Sequence, residues 1–223
     1  MSTVNIYKDN EPKTLSLGIN KVLRSTYLLL SATLFFSGVV AAVAMSLNLP
    51  SPGIVITLGG YFGLLFLTSK FKNSAVGIAC VFALTGFMGY TLGPILNTYL
   101  SLANGGQIVM MAMAGTGTIF LGLSGYAISS RKNFSFIGGF VVVGIVVAFI
   151  AGLAAVFLEI PSLSLAVSAM FVLLMGGLIL YETSNIIHGG ETNYIMATVT
   201  LYVSIFNLFT SLLHLLGATS SNE

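Results

Sequence analysis

The chain has 223 residues, of which 56% are hydrophobic and only 6% are charged. A soluble domain carries about 25% charged residues, so these residues cannot build a water-facing surface, and an integral membrane protein is indicated. The net charge of +2 gives no reason to expect a nucleic-acid partner, and the lone Cys80, inside an apolar run, offers no internal disulfide.

The first 25 residues, MSTVNIYKDNEPKTLSLGINKVLRS, are polar and mixed in charge. They are too long for the basic start of a signal peptide, and the apolar run after them is too long for its core. They read as a retained polar tail (1–25) ahead of a transmembrane domain (26–217) and a short C-terminal tail (218–223).

A helix needs about 20 apolar residues to cross the hydrocarbon. Seven runs meet or approach that length, at 26–47, 53–69, 75–99, 106–129, 134–158, 162–187 and 193–217. The connections NLPSP, SLANGG and EIPS carry no Lys or Arg, whereas KFKN and SRKN carry two each. With Lys8, Lys13, Lys21 and Arg24 of the tail, all eight basic residues then fall on one side. The positive-inside rule makes that side the cytoplasm, with the N-terminus inside and the C-terminus periplasmic if the seventh span crosses fully.

Small residues recur at four-residue spacing at Gly59 and Gly63, at Gly89 and Gly93, and at Ala114, Thr118 and Gly122. Such faces let helix backbones approach closely in lipid and are read as packing. The GLSG stretch at 122–125 matches a pattern of intramembrane serine proteases. A base must lie within about 3 Å of its nucleophile. Ser124 belongs near the cytoplasmic end of the fourth span and His214 near the outer end of the seventh, so this pairing fails on depth. His188 is closer in depth but falls in a turn. No metal, phosphate-loop or cofactor pattern is present, so neither an enzyme nor a bound cofactor is expected.

Glu182 lies about six residues before the Gly189–Gly190 pair, inside the cytoplasmic part of the sixth span. An ionisable group at that depth must face water or a partner, which makes it a functional candidate. The plainer reading is a salt bridge or a side chain reaching back to the interface. Asn185 shares its face, and Lys70, ending the second span, is the nearest cation by depth. Glu191 reads as a turn residue where a helix N-terminus favours negative charge, with Thr192 or Asn193 as cap.

On the seventh span Asn193, Ala197, Thr200, Ser204, Asn207, Ser211 and His214 follow one another at alternating steps of four and three. They share one face about 100° wide. Lipid cannot satisfy hydroxyls, amides or an imidazole, so this helix belongs at the centre of the bundle. The stripe is either polar glue between helices or the lining of a watery path, with Glu182, Asn185, Ser204, Asn207, Lys70 and His214 as candidates for an ion path or a pH sensor.

The segment YETSNIIHGGETNYIMATVTLYVSIFNLFTSLLHLLG (181–217) resembles the signature end of the Bax inhibitor family, and GYTLGPI (89–95) and RKNFSFIGG (131–139) are similar to family segments too. The likeness is greatest to its YccA-like bacterial branch, whose members associate with the membrane protease FtsH. It implies an all-α membrane fold of three helical hairpins around a central seventh helix, in the cell inner membrane. It also implies an FtsH-type protease as partner, engaged through the N-terminal tail, with the lipid bilayer as surroundings. Other family members behave as pH-sensitive calcium leaks closed by two aspartates. The first maps onto Glu182 and the second onto Ser204, so the carboxylate pair is absent here. Calcium takes 6–8 oxygens, several of them usually carboxylate, and Glu182, Ser204 and Asn207 make a poor set. Modulation of the protease is therefore the leading expectation, and a calcium or proton leak gated near Glu182 the alternative.

Overall fold

The computed structural model describes residues 11–220, with side chains from Gly18 to Thr219. The elements are α1 (Glu11–Ser46), α2 (Ile54–Phe71), α3 (Ala75–Leu100), α4 (Gly105–Ser130), a 3-10 turn (Ser135–Ile137), α5 (Gly138–Phe157), α6 (Pro161–Ile187) and α7 (Tyr194–Ser220). All seven helices contain a stretch long and apolar enough to cross a membrane. The protein is thus an all-α, multi-pass membrane bundle.

The boundaries agree with the hydropathy reading except at the two termini. α1 begins at Glu11, so residues 11–25, expected as part of the tail, continue the first helix outward. Its 36 residues span roughly 54 Å, well beyond the ~30 Å of hydrocarbon. Polar residues outside the lipid can extend a helix that the apolar run nucleates, and hydropathy alone does not register that extension. α7 likewise runs to Ser220, into the expected C-terminal tail. Residues 1–10 and 221–223 of the two tails lie outside the described residues.

α7 occupies the centre, and between Asn193 and Ala218 no residue of it is exposed. α1, α3, α4 and α6 surround it, with a slight contact from α2. α2 and α5 stand outside this ring, α2 on α3 and α5 on α6. The first hairpin is open, because α3 sits between α1 and α2. Burial follows that layering: 44% of the apolar window of α7 is buried, against 6% in α2 and 17% in α5.

A close helix approach, between α1 and α3, is made by two of the small residues. A Cβ on Gly93 would stand 2.5 Å from the Ala44 Cβ and 3.2 Å from the Ala41 carbonyl oxygen, and one on Gly89 would strike the Ser37 carbonyl. By contrast, Gly59 and Gly63 have open space where a Cβ would project, and Ala114, Thr118 and Gly122 are exposed. Only one of the three stripes is used inside the bundle.

The basic loops share one end. The α6–α7 turn meets the α2–α3 turn through Asn193, whose Nδ2 donates to the Lys72 carbonyl at 3.0 Å. The last turns of α6 meet the α4–α5 turn through Ser184, whose Oγ donates to the Lys132 carbonyl at 3.1 Å. Lys70, Lys72, Arg131 and Lys132 therefore crown the end where α1 enters and α7 begins.

Candidate functional site

The α6–α7 turn explains why charge sits between two oily helices. Gly189 has φ +74°, the left-handed conformation that glycine adopts freely. The Gly190 N–H donates to the Asn185 carbonyl at 2.9 Å and the Gly189 N–H to Ile186 at 3.1 Å, the paired bonds of a Schellman cap. A Cβ on Gly190 would displace the Asn185 side-chain amide, which packs directly against the second glycine. Glu191 then accepts the Asn193 N–H at 2.6 Å. Asn193 Oδ1 accepts from Ile195 and Met196 at 3.0 and 3.1 Å and caps α7. Glu191 is part of the turn, and Asn193 rather than Thr192 is the cap.

One and a half turns back, Glu182 is buried at 5% exposure, and its Oε1 is fully enclosed without a hydrogen-bond partner. It is the only acidic residue within the seven apolar spans. Lys70 is exposed, its ammonium 5.8 Å above the Phe71 ring, a snorkelling position that leaves Glu182 Oε1 unanswered. The charge that reaches Glu182 is a like one, that of Glu191. A buried carboxylate oxygen without a partner is costly in a low-dielectric setting.

Hydroxyls surround this level of the bundle. Thr183 Oγ1 lies 3.3 Å from Tyr27 OH on α1 and 3.4 Å from Ser124 Oγ on α4. Thr198 on α7 donates to the Tyr194 carbonyl at 2.7 Å and approaches the Thr26 carbonyl at 3.3 Å. Thr26 Oγ1, fully buried, shares with Glu182 Oε1 the lack of a partner. Ser124 thus packs against Thr183, and the GLSG stretch serves helix contact. The other face of α6 is held by Ser184, which accepts the Phe134 N–H at 3.0 Å.

The stripe on α7 is enclosed, but its hydroxyls and amide turn mostly to their own helix. Ser204 Oγ donates to the Thr200 carbonyl at 2.7 Å and Asn207 Nδ2 to Val203 at 2.9 Å. This back-bonding is the standard way for polar side chains to satisfy themselves without water. The Ser204 hydroxyl hydrogen is thereby committed, and it does not answer Glu182 Oε1. His214 is different: its Nδ1 lies 2.7 Å from Ser168 Oγ, tying α7 to α6 on the side away from the basic loops.

Two features were not foreseen. Tyr202, 1% exposed, bonds through its hydroxyl to Ser37 Oγ and donates to the Thr85 carbonyl at 3.2 Å, joining α7 to α1 and α3. The buried face of α1 is itself a stripe, with Thr26, Leu30, Thr33, Ser37, Ala41 and Ala44 all buried. Those positions step by four and three, so the periodicity that marked α7 was available there too. In addition, the backbones of α1 and α4 stay apart, and their side chains meet at the Tyr27–Phe120 ring pair, with centroids 6.1 Å apart. An apolar groove of about 430 Å³ lies between them, lined by Tyr202, Phe206 and Phe209 of α7 among others.

A seven-span bundle built round its last helix, with a glycine-acid turn leading into that helix, defines a multi-pass membrane protein with a polar core post. The chain belongs to the Bax inhibitor family: the family described as "Inhibitor of apoptosis-promoting Bax1" matches residues 19–221. It is 54% identical over 215 residues to "Modulator of FtsH protease YccA" of Escherichia coli K12, covering 96% of this chain and 98% of that one. It is 53% identical over 205 residues to a protein of Pseudomonas aeruginosa, covering 92% of each chain. A membrane protein of Vibrio cholerae is 42% identical over 209 residues, covering 93% of this chain and 94% of that one.

Proposed function

We propose that the protein modulates an FtsH-type, ATP-dependent protease of the inner membrane, acting as a regulator and not as a catalyst. The observation that carries this reading is the 54% identity, over nearly the whole of both chains, to the relative named as a modulator of FtsH. The physical support is a bundle that resists extraction. α7 is gripped by five neighbours, and pulling α1 inward breaks its close seam with α3 and the Ser37–Tyr202 bond. In this reading the crown of Lys70, Lys72, Arg131 and Lys132 faces the cytoplasm, as the positive-inside rule requires. The N-terminal segment lies on that side and presents the chain to the protease, while the C-terminus lies in the periplasm.

The leak alternative has no comparable support. Ser204 and Asn207 are bonded to their own helix. Among the described residues no three His, Cys, Asp or Glu side chains gather as a metal site.

The reading is tested by affinity purification from native membranes, comparing the full chain with one lacking residues 2–16. That deletion stops short of Gly18, where the apolar span begins. The full chain should bring down an FtsH-type protease and the deletion should bring down much less. Equal recovery would remove the role of the N-terminal segment, and no recovery with either would remove the partner.

A further inference from the structure

His188 ends α6 with both ring nitrogens aimed at carbonyl oxygens. Nδ1 lies 2.8 Å from the Ser184 carbonyl oxygen, and Nε2 lies 3.1 Å from that of Arg131 in the α4–α5 turn. A carbonyl only accepts, so each nitrogen must carry a proton to make its bond. Neutral imidazole has one N–H and imidazolium has two. Among the described residues the other hydrogen-bonding group at Nδ1 is Ser184 Oγ, at 3.4 Å, and its hydroxyl hydrogen already goes to the Lys132 carbonyl at 3.1 Å. In either neutral tautomer one lone pair would face a carbonyl oxygen.

We propose that charged His188 latches the α4–α5 turn onto the C-terminus of α6, and that loss of its proton opens the latch. The turn has a reason to move once freed. Arg131 sits at φ +50°, a left-handed conformation unfavourable for a side chain with a Cβ. In that conformation its carbonyl meets His188 while its N–H stays bonded to Ala127. The charged form also suits its place, since a helix C-terminus favours a cation.

The surrounding charges are mixed. The α4–α5 turn brings the like charges of Arg131 and Lys132, and the α6–α7 turn brings the opposite charge of Glu191. From α1 it is Ile19 that approaches, 3.9 Å from where a Cβ on Gly189 would lie, with Lys21 and Arg24 exposed on the same helix. Opening the latch would change the shape of the basic end. The inference does not depend on the protease reading.

The test uses the full chain in nanodiscs at pH 5.5 and pH 8. The chain has two histidines, so 15N-histidine NMR on wild type and His214→Gln assigns His188. At pH 5.5 both of its ring nitrogens should be protonated and hydrogen-bonded. Amide exchange over 132–137, corrected for intrinsic rates, should be about fivefold faster at pH 8, the loss expected for one hydrogen bond. His188→Gln should exchange at the fast rate at both pH values. A single-proton tautomer of His188 at pH 5.5, or turn exchange that does not respond to pH in wild type, would overturn the proposal. Should His188→Gln fail to fold, the wild-type spectra alone decide.

Discussion

Asn193 reaches across to Lys72: its Nδ2 donates to the Lys72 carbonyl at 3.0 Å while its Oδ1 accepts the N–H groups of Ile195 and Met196. One side chain thus starts the central helix and fastens it to the α2–α3 turn. Asn193→Ala should destabilise the bundle by about 1–2 kcal/mol, the upper range for loss of an N-cap. Asn193→Asp keeps the cap but loses the donor to Lys72, and should fall between. Thermal unfolding in detergent checks the order.

The seam between α1 and α3 should tolerate no added side chain. Gly93→Leu drives atoms into Ala44 and Ala41 and should cost about 1–3 kcal/mol or more, as overpacking does. Gly59→Leu projects into open space on α2 and should stay within about 0.5 kcal/mol of wild type. The two substitutions are chemically identical, so the difference in unfolding midpoint isolates the packing.

Two polar groups on α7 should behave differently although both are buried. Tyr202 bonds to α1 and α3, so Tyr202→Phe should cost about 0.6–1.7 kcal/mol, from the average to the maximum for interhelical bonds in membranes. Ser204 bonds only to its own helix, so Ser204→Ala should shift stability by less than about 0.5 kcal/mol. Equal losses would mean that Ser204 has a partner on another helix.

Glu182 should be a cost to stability. Its Oε1 is buried without a partner, and an amide avoids the desolvation of a charge. Glu182→Gln should therefore leave the fold intact and raise the unfolding midpoint at pH 8. A loss of stability of more than about 1 kcal/mol would instead mean that the carboxylate is positively held.

Much of this architecture was legible before any coordinates. Seven apolar runs and the four-three stripe placed α7 at the centre, because lipid leaves polar side chains no other refuge. Hydropathy does not mark the start of α1, because it marks where lipid ends, and a helix need not end there. The hydroxyls of Thr26, Thr33 and Ser37 carry the same spacing as the α7 stripe, diluted by the apolar residues around them. Glu182 stood out as a lone acid in an apolar run, but its surroundings did not. Whether Lys70 turns inward to pair or outward to water depends on side-chain packing between helices that are far apart in sequence, and it turns outward.

On the proposed reading, a tightly knit membrane bundle regulates a protease to which it presents its N-terminal segment. The direct measurement is the turnover of a second membrane substrate by a reconstituted FtsH-type protease, with and without this chain. Adding the full chain should slow that turnover in a dose-dependent way, and adding the chain lacking residues 2–16 should slow it much less. Turnover unaffected by the full chain at severalfold excess over the protease would contradict the account.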